Sequence, residues 1–409
     1  MNKIEELISK LCPDGVEFVK LKDICIINKG KQLNKDKLLD IKEGKYPVMN
    51  GGINPSGYWN EYNVSSNTIT INQGGSAGFV KWIKSNFYAG AHCYYLTLSA
   101  DKNVNYKFIY YSLKEQQETL MNSALGTTIQ GLNKDQIENL LIPLPPIEIQ
   151  NEIVHILDTF TELITELITE LKHRKIQYQY YLDNIFLCLS NPDSKECNTK
   201  FSKLIKEYCP NGVEFVKLKD ISKFRRGSFP QPYTNNDYYG GEDNKPFVQI
   251  ADISNNFNLN EKTKKTISKI AQKSSLFVPK GSLILSIQGS IGRVAITQYD
   301  SYIDRTIAMF YNYSKITKKF FLYALYKLFE EKEKNARGST LKTITIAEIK
   351  DFMIPLPPIE IQNEIVNILD QFNDLTNSIS LGLPKEIELR KQQYEYYRNK
   401  LLTFKQLEK

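Results

Sequence analysis

No stretch of this 409-residue chain approaches the roughly 20 consecutive apolar residues of a membrane-crossing helix. The opening MNKIEELISKL lacks the apolar core of an export signal. A cytoplasmic protein is therefore expected. Histidine is scarce: positions 92, 155 and 173 are too few and too scattered for a metal centre. The six cysteines, at 12, 25, 93, 188, 197 and 209, contain no C-x-x-C pair, and a reduced compartment fits that usage. Nucleotide chemistry is missing too, with neither a G-x-x-x-x-G-K-S/T loop nor a strand-linked G-x-G-x-x-G. There is no Asn/Asp-Pro-Pro-aromatic run of the kind amino-methyltransferases set against a base, since Leu144-Pro145-Pro146 lacks the polar first residue. Asp14, Glu17 and Lys20 are nuclease-like residue types at the wrong spacing, and the chain's second version of that segment has Asn211 in place of Asp14. They read as a turn with exposed charge. No catalytic residue and no metal site are expected.

What is present says two sentences twice. Cys12–Ile24 and Cys209–Ile221 differ at one position in thirteen, and Ile142–Phe160 and Ile354–Phe372 at two in nineteen. Between them lie two variable stretches, 25–141 and 222–353, with little identity. A repeat this long is a duplicated module, not a solenoid unit. Shared frame with diverged inserts implies one mechanical act performed on two different objects. With 41% hydrophobic and 24% charged residues the chain is ordinary for a globular protein, and its net charge of +7 permits contact with a polyanion.

The shared Ile142-Pro-Leu-Pro-Pro146 must be extended, because proline fixes its own φ and restricts the preceding residue. A helix then runs from near Ile147 to about Leu187. Its apolar residues Ile149, Ile153, Ile156, Phe160, Leu163 and Leu167 follow the 4-3 spacing of a coiled-coil seam, with Leu171, Tyr178, Tyr181 and Ile185 beyond. The second copy repeats it with Ile361, Ile365, Ile368, Phe372, Leu375 and Ile379, then Tyr394, Tyr397 and Leu401. Two long helices packed antiparallel are expected. The tandem Thr161–Ile164, Thr165–Ile168, Thr169–Leu171 marks a length difference: Ile142 and Ile354 are 212 residues apart, but Arg174 and Arg390 are 216 apart. Gly382 and Pro384 predict a break in the second helix, with a restart near Lys385.

Each variable stretch carries short β-like runs (68–71 and 94–98; 282–287 and 293–296) and a later helical run (107–121; 318–334). Glycine loops recur at Gln73–Gly78 and Gln288–Gly292, and at Gly126–Thr128 and Gly338–Thr340. The fold class expected is α+β, with two similar globular domains joined by long helices and related by a pseudo-two-fold repeat. The boundaries expected are 1–143, 144–190, 191–355 and 356–409, alternating globular domain and helix.

The two Ile-Pro-Leu-Pro-Pro-Ile-Glu-x-Gln-x-x-Ile segments heading long helices, the Thr-Glu-Leu-Ile tandem, the Tyr-rich helix ends (177–181 and 392–397), the Gly-Ser/Thr-Thr turns and Pro47–Gly57 together resemble the DNA-specificity subunit of type I restriction–modification systems. The likeness covers essentially the whole chain and is specific in architecture. It implies a subunit without activity of its own that binds no cofactor. It also implies two methyltransferase subunits carrying S-adenosylmethionine, and two restriction/translocase subunits using ATP and Mg. Each variable domain would read one half of a split, asymmetric DNA target, with the helices as a ruler. Half-sites one helical turn apart, about 34–36 Å, would present the same face of the duplex.

Base edges are read by side chains and phosphates set register; Asn and Gln suit adenine, and Arg suits guanine. The DNA-binding candidates are Asn50, Asn72, Gln73, Ser76, Lys81, His92 and Thr127 in the first domain. In the second they are Arg225, Arg226, Gln249, Gln288, Ser290, Arg293, Arg305 and Ser339. Lys262, Lys264, Lys265, Lys269 and Lys273 could touch phosphate or simply face solvent. A surface serving two identical partners should be alike in both copies. That points to Glu148, Gln150, Asn151 and Glu152, with Glu360, Gln362, Asn363 and Glu364, as partner contacts. His155, replaced by Asn367 in the second copy, reads as solvated. Two other readings stay open: a nuclease or methyltransferase with an unrecognised site, and a coiled-coil scaffold that binds no nucleic acid.

Overall fold

The computed structural model describes residues 2–99, 103–124, 131–197, 200–335, 344–378 and 381–408. The chain forms two compact units, Met1–Glu166 with Glu388–Lys409, and Leu167–Ile387. The division runs through the long helix, which spans Ile147–Ser190. Its 44 residues correspond to about 66 Å at 1.5 Å per residue. Of the expected boundaries, 190/191 and 355/356 coincide with the ends of helix Ile147–Ser190 and strand Met353–Pro355, and 143/144 lies one residue before the end of strand Leu141–Leu144.

The shared sentences bond to each other. Glu17–Lys20 pairs antiparallel with Leu141–Leu144, placing Val19 opposite Ile142. Phe215–Lys217 pairs in the same way with Met353–Pro355, placing Val216 opposite Ile354. These are two-stranded ribbons, where proline is tolerated because no second neighbour needs its missing N–H. Pro145 and Pro146 then end the strand and release the chain into the helix.

In the first unit, buried Ile149, Ile153 and Leu157 share an apolar cluster with Leu401 and Leu402, and Phe160 stacks on Tyr397 with centroids 5.4 Å apart. In the second, Ile361, Ile365 and Leu369 share a cluster with Tyr178, Leu182 and Ile185, and Phe372 stacks on Tyr181 at 5.0 Å. Phe160 and Phe372 are repeat equivalents, and so are Tyr181 and Tyr397. Each copy thus gives its Pro-Pro helix to one unit and its Tyr-rich helix end to the other. Within the first unit, Ile149 and Ile153 cluster with Leu401 and Leu402 while Phe160, further along, meets the earlier Tyr397, the antiparallel sense. The second helix is broken as expected, into Ile359–Asn377 and Gly382–Leu402. Gly382 has φ +76°, and a Cβ there would sit 2.4 Å from the Asp374 carbonyl oxygen, so only glycine makes this turn.

The variable stretches, unlike in sequence, share the strand order of their main sheet, while their smaller sheets have three and four strands. The first has a sheet of strands 25–29, 93–98, 68–72 and 80–83 in that spatial order, beside a small sheet in which 46–49 and 88–89 run parallel. The second has strands 223–226, 307–311, 283–286 and 294–296 in the same order, and again one parallel pair, 245–248 with 301–303. Their cores are formed by Ile69, Ile71, Val80 and Leu96, and by Leu283, Leu285, Val294 and Phe310. The expected strands and helices lie within a residue or two of those found. The one exception is the helical run 107–121, which is two helices, Tyr106–Glu115 and Gln117–Asn122.

The lobe helices dock on the long helices through a repeated contact. Asp158 accepts from Lys107 Nζ at 2.7 Å and Tyr111 OH at 2.5 Å. Asp370 accepts from Tyr323 OH at 2.7 Å and from Lys319. The signal was in the sequence, as a Lys-Phe-x-x-Tyr run at 107 and 319 with the 212-residue separation of the Pro-Pro segments.

One finding departs from the reduced-cysteine expectation. The turn after Ser190 brings Cys197 back to Cys188, with Cα atoms 5.5 Å apart, and the two form a disulfide. The other four cysteines are free. Cys12 and Cys209 each sit against an apolar cluster, and burial pushes both thiols up from their ordinary value.

Candidate nucleic-acid interface

Backbone hydrogen bonds set the register between the lobes residue by residue. Cys93 N–H donates to Gly90 O as Ile307 N–H does to Asp304 O; Gly30 N–H donates to Cys93 O as Gly227 N–H does to Ile307 O; Gln73 N–H donates to His92 O as Ile287 N–H does to Thr306 O. Gly30 and Gly227 mark one close crossing, since a Cβ on either would lie 2.1–2.2 Å from a carbonyl oxygen. The register corrects the expected loop alignment: Gln73 matches Ile287, and Gln288 matches Gly74. The loops differ by where they diverge, not by a missing residue.

At the glycine-loop end of the first lobe several candidates serve the loop itself. Asn72 is fully buried, and its Nδ2 donates to the carbonyls of Gly51 and Gly52 at 3.0 and 3.1 Å. Asn72 as a DNA contact is therefore corrected: it is a loop brace. Lys81 Nζ donates to Gly52 O at 2.6 Å, and its burial lowers its pKa. Asn50 Oδ1 accepts from the backbone N–H of exposed His92 at 2.9 Å. Gln73 and Ser76 are half-buried, and Gln73 Oε1 has no partner among the described residues. Beside this loop a cleft of about 570 Å³ is lined by Met49, Tyr58, Lys81, Trp82 and Lys114.

The second lobe presents cations at the matching end. Arg226 Nε donates to the Arg305 carbonyl at 2.6 Å, and Nη2 donates to Gln288 Oε1 at 3.0 Å. The Arg305 guanidinium lies 5.0 Å from the Tyr233 ring centre. Tyr233 OH donates to Asp304 Oδ2 at 2.7 Å; burial and then this bond push the phenol's pKa up. Arg225 and Ser290 are exposed. Arg293 Nη1 donates to the carbonyl of Ile253 at 3.1 Å, and Gln249 N–H donates to Asp252 Oδ2 at 2.8 Å. Lys262, Lys264, Lys265, Lys269 and Lys273 are all exposed, but Lys269 pairs with Asp243 at 3.0 Å and Lys265 lies over Tyr239. Thr127 and Ser339 lie outside the described residues.

The partner-contact set divides. Gln150 and Gln362 are buried, at 1% and 0% exposure. Gln150 Oε1 accepts from Asn105 N–H at 2.9 Å and its Nε2 donates to Pro145 O at 2.7 Å. Gln362 repeats this with Thr317 N–H (2.8 Å), Pro357 O (2.8 Å) and Lys315 O (2.9 Å). Both are corrected: these glutamines pin each lobe helix to its long helix and offer no side chain to a partner. Asn151 accepts from Asn105 Nδ2, and Glu152 pairs with Lys3 at 2.6 Å. Glu148, Glu360, Asn363 and Glu364 are exposed, as is His155.

Among the described residues no group of three His, Cys, Asp or Glu could hold a metal ion, and no helix is long and apolar enough to cross a membrane. The arrangement is two copies of one frame whose loop ends carry different polar sets.

Comparison with known proteins agrees with that description. The family model described as type I restriction modification DNA specificity domain matches twice, at residues 13–174 and 210–389. A Mycoplasma pneumoniae protein assigned provisionally as a type I specificity subunit is 26% identical over 95% of this chain and 98% of its own length. The EcoR124I/EcoR124II specificity subunit of Escherichia coli is 29% identical over 79% of this chain and 77% of its own. The crystal structure of a type I restriction–modification S subunit from M. genitalium has the same fold, with a TM-score of 0.62 over 95% of this chain and 96% of that one at 22% identity.

Proposed function

Because this chain belongs to the type I restriction–modification DNA-specificity family, whose members are specificity subunits and not themselves catalysts, we propose a division of labour within it. Each lobe reads one half of a bipartite, asymmetric DNA target, and the helices set the gap between the halves. The observation that carries this reading is the pair of lobes with one backbone register and unlike residues at the loop ends. One frame serving two readers is what an asymmetric split target demands. The proposed readers are Asn50, Gln73, Ser76, Lys81 and His92 at the loop end of the first lobe, and Arg225, Arg226, Gln288, Ser290 and Arg305 in the second. Gln249 and exposed Arg293 are further proposed contacts of the second lobe, and Thr127 and Ser339 are proposed contacts from sequence alone.

The partners are two methyltransferase subunits, which would bring S-adenosylmethionine, and two restriction/translocase subunits, which would bring ATP and Mg. Exposed Glu148 and Glu360, equivalent in the two copies, with Asn363 and Glu364, form the proposed acidic docking positions, and Asn151 and Glu152 flank them. The setting is cytoplasmic, where such a complex meets DNA. The chain would be co-expressed with its methyltransferase partner and methylated bases mapped across the genome. A single motif of two defined parts around an undefined gap is expected. Methylation without such a motif, or none beyond a strain lacking the chain, refutes the proposal.

A further inference from the structure

The register between the lobes isolates the positions at which the two readers were made different. Arg225, Arg226, Gln288 and Arg305 of the second lobe correspond to Asn28, Lys29, Gly74 and Ala91 of the first. Three arginines therefore stand where the first lobe has none, on strands and a loop held in the same places.

Their chemistry is one-sided. Arg305 is exposed, and its guanidinium lies over the Tyr233 ring, 5.0 Å from its centre. Tyr233 cannot swing aside: its ring stacks on buried Phe229 at 4.9 Å and its hydroxyl is tied to buried Asp304. Asp304 also accepts from Thr306 N–H at 2.8 Å, which fixes the turn carrying Arg305. From the other side Arg226 grips the Arg305 carbonyl and uses Gln288 Oε1 as its acceptor, so that bond leaves the Nε2 donors of Gln288 unused. What this end offers a ligand is chiefly N–H groups, the Arg305 fork, Arg226 Nη1 and Gln288 Nε2, with the exposed Ser290 hydroxyl in the same loop as Gln288.

We infer that Arg305 is a specificity-determining residue that reads guanine, so that the half-site of the second lobe contains a G·C pair at the position it faces. The inference rests on the proposed reading of each lobe as a half-site reader. Guanine presents two acceptors, O6 and N7, to the major groove, whereas adenine and cytosine each place a donor there. A donor-rich array fits the first and disfavours the others, and thymine, with one acceptor, cannot take both bonds of an arginine fork. Arg226 is a positioning residue, acting through the Arg305 backbone and Gln288. A phosphate is also an acceptor, and the experiment separates the two.

The full chain in complex with its methyltransferase partner would select duplexes from a randomised pool, as wild type, as Arg305→Ala and as Arg305→Lys. Exchange of residues 222–353 identifies which half-site belongs to this lobe. The wild type is expected to require guanine at one position of that half-site. Both variants should lose that preference by roughly ten- to a hundredfold, the range of one bidentate pair, while every other position holds. Lysine is expected to fail because it cannot make the planar two-bond contact. Three results overturn the assignment: a half-site without guanine, a lysine variant that reads the wild-type motif, or a uniform loss across all sequences with a salt slope shallower by about one, the mark of a phosphate contact. A wild-type complex with no sequence preference at all would instead overturn the half-site reading beneath it.

Discussion

Gln150 sits 1% exposed at the head of the long helix, and what it does there decides how a polar residue repeated in both copies should be read. Its two bonds satisfy the Asn105 N–H that opens the lobe helix and the Pro145 carbonyl that closes the extended segment. Replacing it with leucine leaves both groups buried and unpaired, at about 1–3 kcal/mol each. Both tryptophans, Trp59 and Trp82, belong to the first unit, so their fluorescence follows that unit alone. Gln150→Leu should lower its unfolding free energy in urea by about 2–6 kcal/mol. An unchanged midpoint with weakened partner assembly would return Gln150 to the docking surface. Lys114 gives a pH test with the same reporter. Burial, with Arg398 and Lys81 nearby, lowers its pKa to about 8 from 10.5. Between those values the unfolded chain holds a proton that the folded one has released, so stability rises with pH across that window. Lys114→Met should flatten that rise, and denaturation curves at pH 7.5 and 9.5 for both proteins would show whether it does.

At the scale of elements, most of the frame was legible and most of the site was not. Ile142–Pro146 had to be extended, Ile149 to Leu167 had to form a seam, and Gly382 had to break a helix. Each follows from covalent geometry or from a period that leaves no alternative. The reciprocal Phe160–Tyr397 and Phe372–Tyr181 stacks were out of reach of periodicity, because they depend on which copy partners which. The site failed in sequence for a different reason. Asn72 and Gln150 have the right chemistry for recognition, and only three-dimensional burial reveals that it is already used. Arg305 gave no sign that Tyr233, 72 residues earlier, would hold it flat. The Thr-Glu-Leu-Ile tandem is the element whose length carries function in the proposed reading. Deleting Thr165–Ile168 removes about 6 Å of rise and turns the helix by roughly 40°. The methylated motif should keep both halves and lose about one or two base pairs from its gap, each pair being about 3.4 Å. Altered half-site bases would disconnect the helix from spacing.

At the scale of the whole molecule, the two copies are braided: each unit is completed by a helix from the other copy, while each lobe is closed by its own pair of shared segments. Exchange should therefore succeed at one kind of boundary and fail at another. Cutting at 222 and 353 removes a lobe between strands that pair with each other, so Phe215–Lys217 and Met353–Pro355 remain to receive a new insert. Cutting at Glu166 or Glu388, where compactness divides the chain, would sever helices whose apolar seams are shared. A chain carrying a foreign 222–353 insert with the same order in its four-stranded main sheet should fold, assemble and methylate a motif in which one half is new and the other untouched. Mapping methylated bases in a strain carrying that chimera reads the answer directly. Change in both halves would mean that each reader is shaped by its counterpart, and the lobes would then be one site, not two.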